Sequence, residues 1–235
     1  MSENIKKITK AFKVDLDSRK NQSILKSSAR PFNNQAHQVN EAVEKIAEKI
    51  YELIKGAKHP NDGTILNHNK IKEAFFSPFK PQLKDAQVFL LHSHADKNKA
   101  LKVKNYLESE TNHRVFIDSL FWDYKDNVLN KLAKYDNTSK IKDAFVLILR
   151  ESLQDMIEKC PYFVFLQSSN SVSNQGLSCT TYSAWVYEEL KIAHSIRESR
   201  PTPMMESWQA FHDISPFLEN LETITLKELS QQINS

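Results

Sequence analysis

Cysteine is scarce in this chain. The two present, Cys160 and Cys179, do not stand at Cys-x-x-Cys spacing, which excludes a zinc knuckle and a dense disulfide framework and leaves two ordinary thiols. No apolar run reaches the roughly 18–20 residues that cross a bilayer, and the polar start, Met1 to Lys7, lacks the apolar stretch of a signal peptide. The expected location is the cytoplasm, with no membrane partner. Net charge is small, +3, but unevenly spread: residues 1–80 carry 15 Lys/Arg against 9 Asp/Glu, and residues 81–235 carry 17 against 20. The basic residues of the first part are mixed with glutamates and not interleaved with aromatics. That pattern reads as a solvated surface, and no nucleic-acid partner is expected.

With 235 residues, 40% of them hydrophobic, the chain can bury one substantial core and a small appendage. It divides near Pro78–Gln82, giving a helical, partly disordered N-terminal extension over residues 1–80 and a main domain over residues 81–235. Residues 1–36, rich in Lys, Asn, Ser and Gln, are expected to be partly ordered at best. Val39, Val43, Ile46, Ile50 and Leu53 then recur at helical spacing, with Gly56 placed as a C-terminal cap. This stripe is expected to dock on the main domain, with helix-to-helix self-association as the other use. A turn at Pro60–Gly63 and a short helix over Lys70–Phe76 follow.

From residue 87 onward the pattern alternates between strand and helix. Gln87–His92 is an apolar run, Lys97–Glu108 is helical, and Arg114–Asp118 is a second buried strand. Two such strands joined by one helix predict a parallel β-α-β unit, which gathers the polar residues at the strand ends. Helices over Asp126–Tyr135 and Ile141–Lys159 and a third strand at Tyr162–Leu166 come next. The polar stretch Gln167–Tyr182 reads either as a long surface loop or as a mobile lid. A helix over Ala184–Ile196, a proline-containing stretch from Pro201 to Pro216, and a short strand at Glu222–Thr225 followed by a helix complete the chain.

Within the Ala184–Ile196 helix, Trp185 and Glu189 are four residues apart and share a face. In an arbitrary sequence such a pair is a core aromatic beside a solvated acid. Here the order of motifs adds to it. Val88–Asp96, with Ser93 and Asp96 after the apolar run, Arg114–Asp118 with the following Ser119–Tyr124 segment, the strand at Tyr162–Ser168, and Trp185, Glu189 and Leu190 together resemble the Toll/interleukin-1 receptor (TIR) domain family, specifically its bacterial antiphage-defence members. The resemblance covers about residues 84–200. Two departures stand beside it: Gln167–Tyr182 is longer than the family pattern, and the strand after the Trp/Glu helix is hard to find.

The resemblance implies an α/β fold with a flavodoxin-like parallel sheet flanked by helices. It also implies NAD as substrate rather than cofactor, cleaved between nicotinamide and ribose. Nicotinamide leaves a cationic pyridinium as a neutral molecule, so no acid need protonate it, and one carboxylate suffices to stabilise the cation-like ribose. Glu189 takes the catalytic role and Trp185 holds the carboxylate or walls the pocket. Spacing alone does not separate Glu189 from Glu188; the family pattern does. Ser93, His94, Asp96 and Asp118 at the strand ends would receive the nucleotide. Phe121, Trp122 and Tyr124 of the BB loop would stack on a ring, with Trp122 as a mere loop anchor the other reading.

Expected partners are NAD, further copies of the chain through TIR faces, and a downstream effector that senses a nucleotide signal. The alternative function is a non-catalytic TIR adaptor that associates through Leu120, Phe121 and Trp122. His92-Ser93-His94-Ala95-Asp96 also matches the start of the zinc motif of metallo-β-lactamase-like hydrolases. However, Lys97 stands where the last histidine belongs, and three glycines are poor material for that loop-rich sandwich. No metal is expected.

Overall fold

A computed structural model describes residues 8, 10–27, 42–55, 68–79, 85–134, 139–175, 178–198 and 212–235; within these, the side chains of residues 120–123, 139–146 and a few others are not described. Its elements in chain order are β1 (Lys10–Asp15), α1 (Arg19–Ser27), α2 (Val43–Lys55), α3 (His68–Phe76), β2 (Ala86–His92), α4 (Lys97–Glu110), β3 (Arg114–Ile117), α5 (Ser119–Leu132), α6 (Ser139–Lys159), β4 (Tyr162–Gln167), β5 (Ser173–Gln175), β6 (Ser178–Thr181), α7 (Ala184–Glu198), β7 (His212–Asp213), α8 (Ser215–Leu218), β8 (Glu222–Thr223) and α9 (Leu226–Asn234). The chain forms two compact units, one from residues 1–32, 85–119 and 154–235, the other from residues 33–84 and 120–153.

The first unit is built on a five-stranded, all-parallel sheet in the order β3-β2-β4-β1-β8, an α/β flavodoxin-like arrangement flanked by helices. Strands buried on both faces read as continuous apolar runs, and Val88–Leu91, Val115–Ile117 and Phe163–Leu166 are all buried. Phe89 stacks between Phe163 at 5.9 Å and Phe116 at 5.8 Å, across three adjacent strands. A bulge between Ala86 and Val88 interrupts the β2–β3 ladder, and there the Gln87 side chain accepts the Arg114 N–H at 2.8 Å. Helices α1, α4 and α9 pack on one another, while α7 packs against β2, β6 and α8. The final helix is fixed by a capping box between Thr225 and Glu228.

The strand missing from the sequence pattern lies at the other end of the chain. Next to β4, where a strand following α7 was sought, stands β1, in register from Lys10 opposite Tyr162 to Asp15 opposite Gln167. Residues 1–36, expected to be partly ordered at best, thus supply an internal strand and the helix α1. Phe12 and Val14 are fully buried, and Asn21 Nδ2 donates to the Asp15 carbonyl at 2.7 Å. The Gln167–Tyr182 stretch is not one long loop. It contains β5 and β6, paired antiparallel and extended by β7 into a small three-stranded sheet.

The second unit is helical. Along α2, Val43, Ile46, Ala47, Ile50 and Ile54 are buried, and the helix packs on α3. The ion pair Glu44–Lys131 joins α2 to α5 at 2.7 Å. An aromatic knot of Phe75, Phe79 and Tyr124 lies in this unit, with Tyr124 edge-on to both phenyl rings at 5.1 and 5.0 Å. The expected cap at Gly56, the turn at Pro60–Gly63 and the Pro201–Phe211 segment lie outside the described residues.

Candidate active site

Parallel register sets the carboxyl ends of the strands side by side: His92 opposite Leu166, Asp15 opposite Gln167, and Ile117 opposite Leu90. From β2 the chain runs through α4 to β3 at one edge; from β4 it runs onward to β8 at the other. Right-handed crossovers in opposite directions place their helices on opposite faces, so the crevice at the carboxyl ends of β2 and β4 is a topological switch point, the usual ligand position in open α/β sheets.

Glu189 reaches this edge from α7. Ser183 caps the helix, its Oγ accepting the Val186 N–H at 3.2 Å, and Val186 and Leu190 are buried beside Glu189. Glu189 has 0% exposure, and neither carboxylate oxygen has a hydrogen-bond partner. Burial, reinforced by the neighbouring charge and contact of Asp118, pushes its carboxyl well above the ordinary carboxylate range. Glu188 is half-buried and its charge acts on Tyr187 instead. The two glutamates that spacing left equivalent are therefore separated by the fold. Trp185, one turn before Glu189, is half-buried.

Asp118 directly follows β3 and is 4% exposed. Its Oδ1 lies 2.6 Å from His92 Nδ1 at the end of β2. Ser119 Oγ beside it is buried without a partner. Sequence reasoning placed His92 only in the rejected zinc motif. The signal for its actual place was its position as the first polar residue closing a buried apolar run.

Asp96 and Ser93 belong to a second cluster at the same edge. Asp96, 1% exposed, accepts hydrogen bonds from Ser168 Oγ and from Asn170 Nδ2, the latter at 2.9 Å, and pairs with Lys99 Nζ at 3.3 Å. Lys99 also reaches Asp17 Oδ1 at 3.1 Å, while Asp17 Oδ2 accepts the Ser169 N–H at 2.8 Å. The Ser169 N–H first, and Lys99 with it, hold the Asp17 carboxyl below its ordinary value. Burial opposes the Lys99 charge, but its two aspartates outweigh it and raise the lysine. This clasp ties the turns after β1, β2 and β4 together. Ser93 is buried, its carbonyl accepting the Asp96 N–H at 2.8 Å, and His94 is exposed.

One of the expected ring-stacking residues, Tyr124, falls elsewhere. Ser119–Tyr124 is not a loop but the first turns of α5, and Tyr124 is fully buried in the helical unit's aromatic knot. It is a core residue there, and burial pushes its hydroxyl above the ordinary phenol value. The side chains of Phe121 and Trp122 lie outside the described residues. A cavity of about 10 Å³ bordered by Ala11, Phe163, Leu190 and Phe217 has room for about one water molecule, and none of the expected site residues lines it.

Among the described residues no group of three or more His, Cys, Asp or Glu is placed to hold a metal ion, and no helix is long and apolar enough to cross a membrane. Cys160 and Cys179 are not joined in a disulfide. No protein-family model, curated protein or solved structure matches the chain.

Proposed function

We propose that the chain is a cytoplasmic NAD-cleaving enzyme of TIR type acting in antiphage defence, with Glu189 as its catalytic carboxylate. The observation that carries this reading is a fully buried glutamate set against a second carboxyl group, Asp118, at the carboxyl edge of a parallel sheet. An unsatisfied buried carboxyl costs stability, and such groups collect at functional sites. A cationic substrate supplies a counter-charge to this carboxyl group. As the nicotinamide–ribose bond lengthens, positive charge moves onto the ribose, and a preorganised carboxylate in a dry site stabilises it.

Glu189 has no exposure in this closed arrangement, so the ring of the substrate reaches it only after the covering elements part. Assembly between copies is the trigger this reading favours, and the products are ADP-ribose or a cyclic or conjugated form sensed by a separate effector. The test is incubation with NAD at high protein concentration, with products identified by chromatography and mass spectrometry. Nicotinamide release that vanishes in Glu189→Gln supports the enzyme. No turnover under assembling conditions favours the adaptor.

A further inference from the structure

The two edges of the five-stranded sheet differ. β8 ends one side with only the two residues Glu222 and Thr223, too short to template a further strand. β3 ends the other with Arg114–Ile117, of which Val115, Phe116 and Ile117 are apolar and buried, and among the described residues it pairs with β2 alone. A β-branched and aromatic edge of this kind is the sort that accepts a strand from another chain.

Along a strand, successive residues turn their backbone groups to opposite sides. The Arg114 N–H turns toward β2, where it meets the Gln87 side chain, so the N–H and carbonyl of Val115 turn outward. Both are occupied, and not by a strand. The Val115 N–H donates to Glu108 Oε1 at 3.0 Å, and the Val115 carbonyl accepts from Lys104 Nζ at 2.6 Å. Lys104 and Glu108 stand one turn apart on α4 and form an ion pair with each other, their side chains 7% and 15% exposed. Lysine, glutamate and strand therefore close a ring of hydrogen bonds. An apolar pair of the same volume would avoid the desolvation cost of burying two charges, but it would leave both Val115 groups open.

We propose that the Lys104–Glu108 pair guards the β3 edge against a second copy of this chain. It fills the hydrogen-bonding places that β3 of the second copy would take in an antiparallel two-fold pairing with Val115 opposite Val115. In that pairing each valine gives and receives both bonds across the axis, and Arg114 falls opposite Phe116 instead of another arginine. Two further features act in the same sense: the bulge between Ala86 and Val88, which twists this edge, and the exposed Arg114. Copies of the chain are thereby directed to meet through other faces, whether or not the chain cleaves NAD.

The test replaces both residues in the full-length chain, Lys104→Met together with Glu108→Leu, which keep the volume and remove the polar atoms. Circular dichroism should show a folded protein. Sedimentation velocity should show a species absent from the wild type, about twice the mass of the wild-type one, that grows with protein concentration. Adding Val115→Pro, which removes the outward N–H of an edge strand, should abolish it. A folded double variant that sediments like the wild type overturns the proposal, and so does a new species that persists with Val115→Pro. Glu108→Ala gives a reading that does not rest on the double variant folding, because it truncates the less buried partner and opens only the Val115 N–H. Hydrogen exchange of the Val115 amide should then be at least about tenfold faster than in the wild type in dilute protein, and slow again as the concentration rises. Unchanged exchange, or fast exchange indifferent to concentration, counts against the guard.

Discussion

Lys99 and Asp17 are joined by an ion pair of 3.1 Å that fastens the turn after β1 to the helix after β2. The lysine simultaneously faces Asp96 at 3.3 Å, and the two aspartates differ in kind. Asp17 is about a third exposed, whereas the Asp96 side chain is fully buried. Water screens the first pair, so Asp17→Asn should cost at most about 1 kcal/mol and less in high salt. Lys99→Met strands a buried charge that keeps only Ser168 and Asn170, and should cost about 1–3 kcal/mol. Urea unfolding of both variants, with the slope unchanged, checks the ranking; equal losses would mean that Asp96 does not depend on the lysine.

An N-terminal truncation separates an appendage from a strand. Because β1 lies between β4 and β8, a chain starting at residue 81 loses an internal strand and exposes the flank of β4. Such a fragment should be insoluble or unfolded, not merely unregulated. A gentler version is Phe12→Ala, which removes a fully buried ring and should cost about 3–5 kcal/mol. Circular dichroism and thermal melting decide it, and a well-folded residue 81–235 fragment would show that β1 is dispensable.

Sequence patterning found the elements whose apolar residues are dense. The strands β2, β3 and β4 and the helices α2, α4, α6 and α7 lie close to their expected ranges, because runs such as Val88–Leu91 and Phe163–Leu166 have few alternatives to burial. β1 was hidden by Lys10, Lys13 and Asp15. Those charges are tolerated because the neighbour on one side is only the two-residue β8, and Lys10 Nζ reaches Gln232 Oε1 at 3.0 Å. The start of α5 was hidden by the family resemblance, which put a loop at Ser119–Tyr124, where the helix already begins; its later part, from Asp126, was expected to be helical. Motif order put Glu189 and Asp118 in one candidate site, and the fold brings them beside each other. The partnership of His92 was not, since a contact between strand ends has no spacing in the sequence.

Tyr124 tests that correction. Its hydroxyl is buried with no hydrogen-bond partner and its ring is edge-on to Phe75 and Phe79. Tyr124→Phe removes an unsatisfied polar group at almost constant shape, so stability should hold or rise. Any NAD cleavage should continue at the wild-type rate. Tyr124→Ala should cost about 3–5 kcal/mol. A Tyr124→Phe variant that folds normally but raises KM for NAD would return this residue to the ligand site.

The strongest signature of a site held at the expense of stability should appear in Glu189→Gln. In the unfolded chain this carboxyl ionises near 4.5; in the fold, burial first and Asp118 second keep its proton to higher pH. Between those two values the native state holds more protons than the unfolded state, so stability falls as pH rises through the window and the loss is complete above it. Below the ordinary value the loss is absent. Glutamine cannot ionise, so Glu189→Gln should match the wild type near pH 4 and exceed it at pH 8 by about 1–3 kcal/mol, or about 2–4 °C of melting temperature per kcal/mol. Parallel melting curves for Glu189→Gln and wild type from pH 4 to 8 would mean that Glu189 is ionised in the folded protein, and the balance of charge around Asp118 would have to be redrawn.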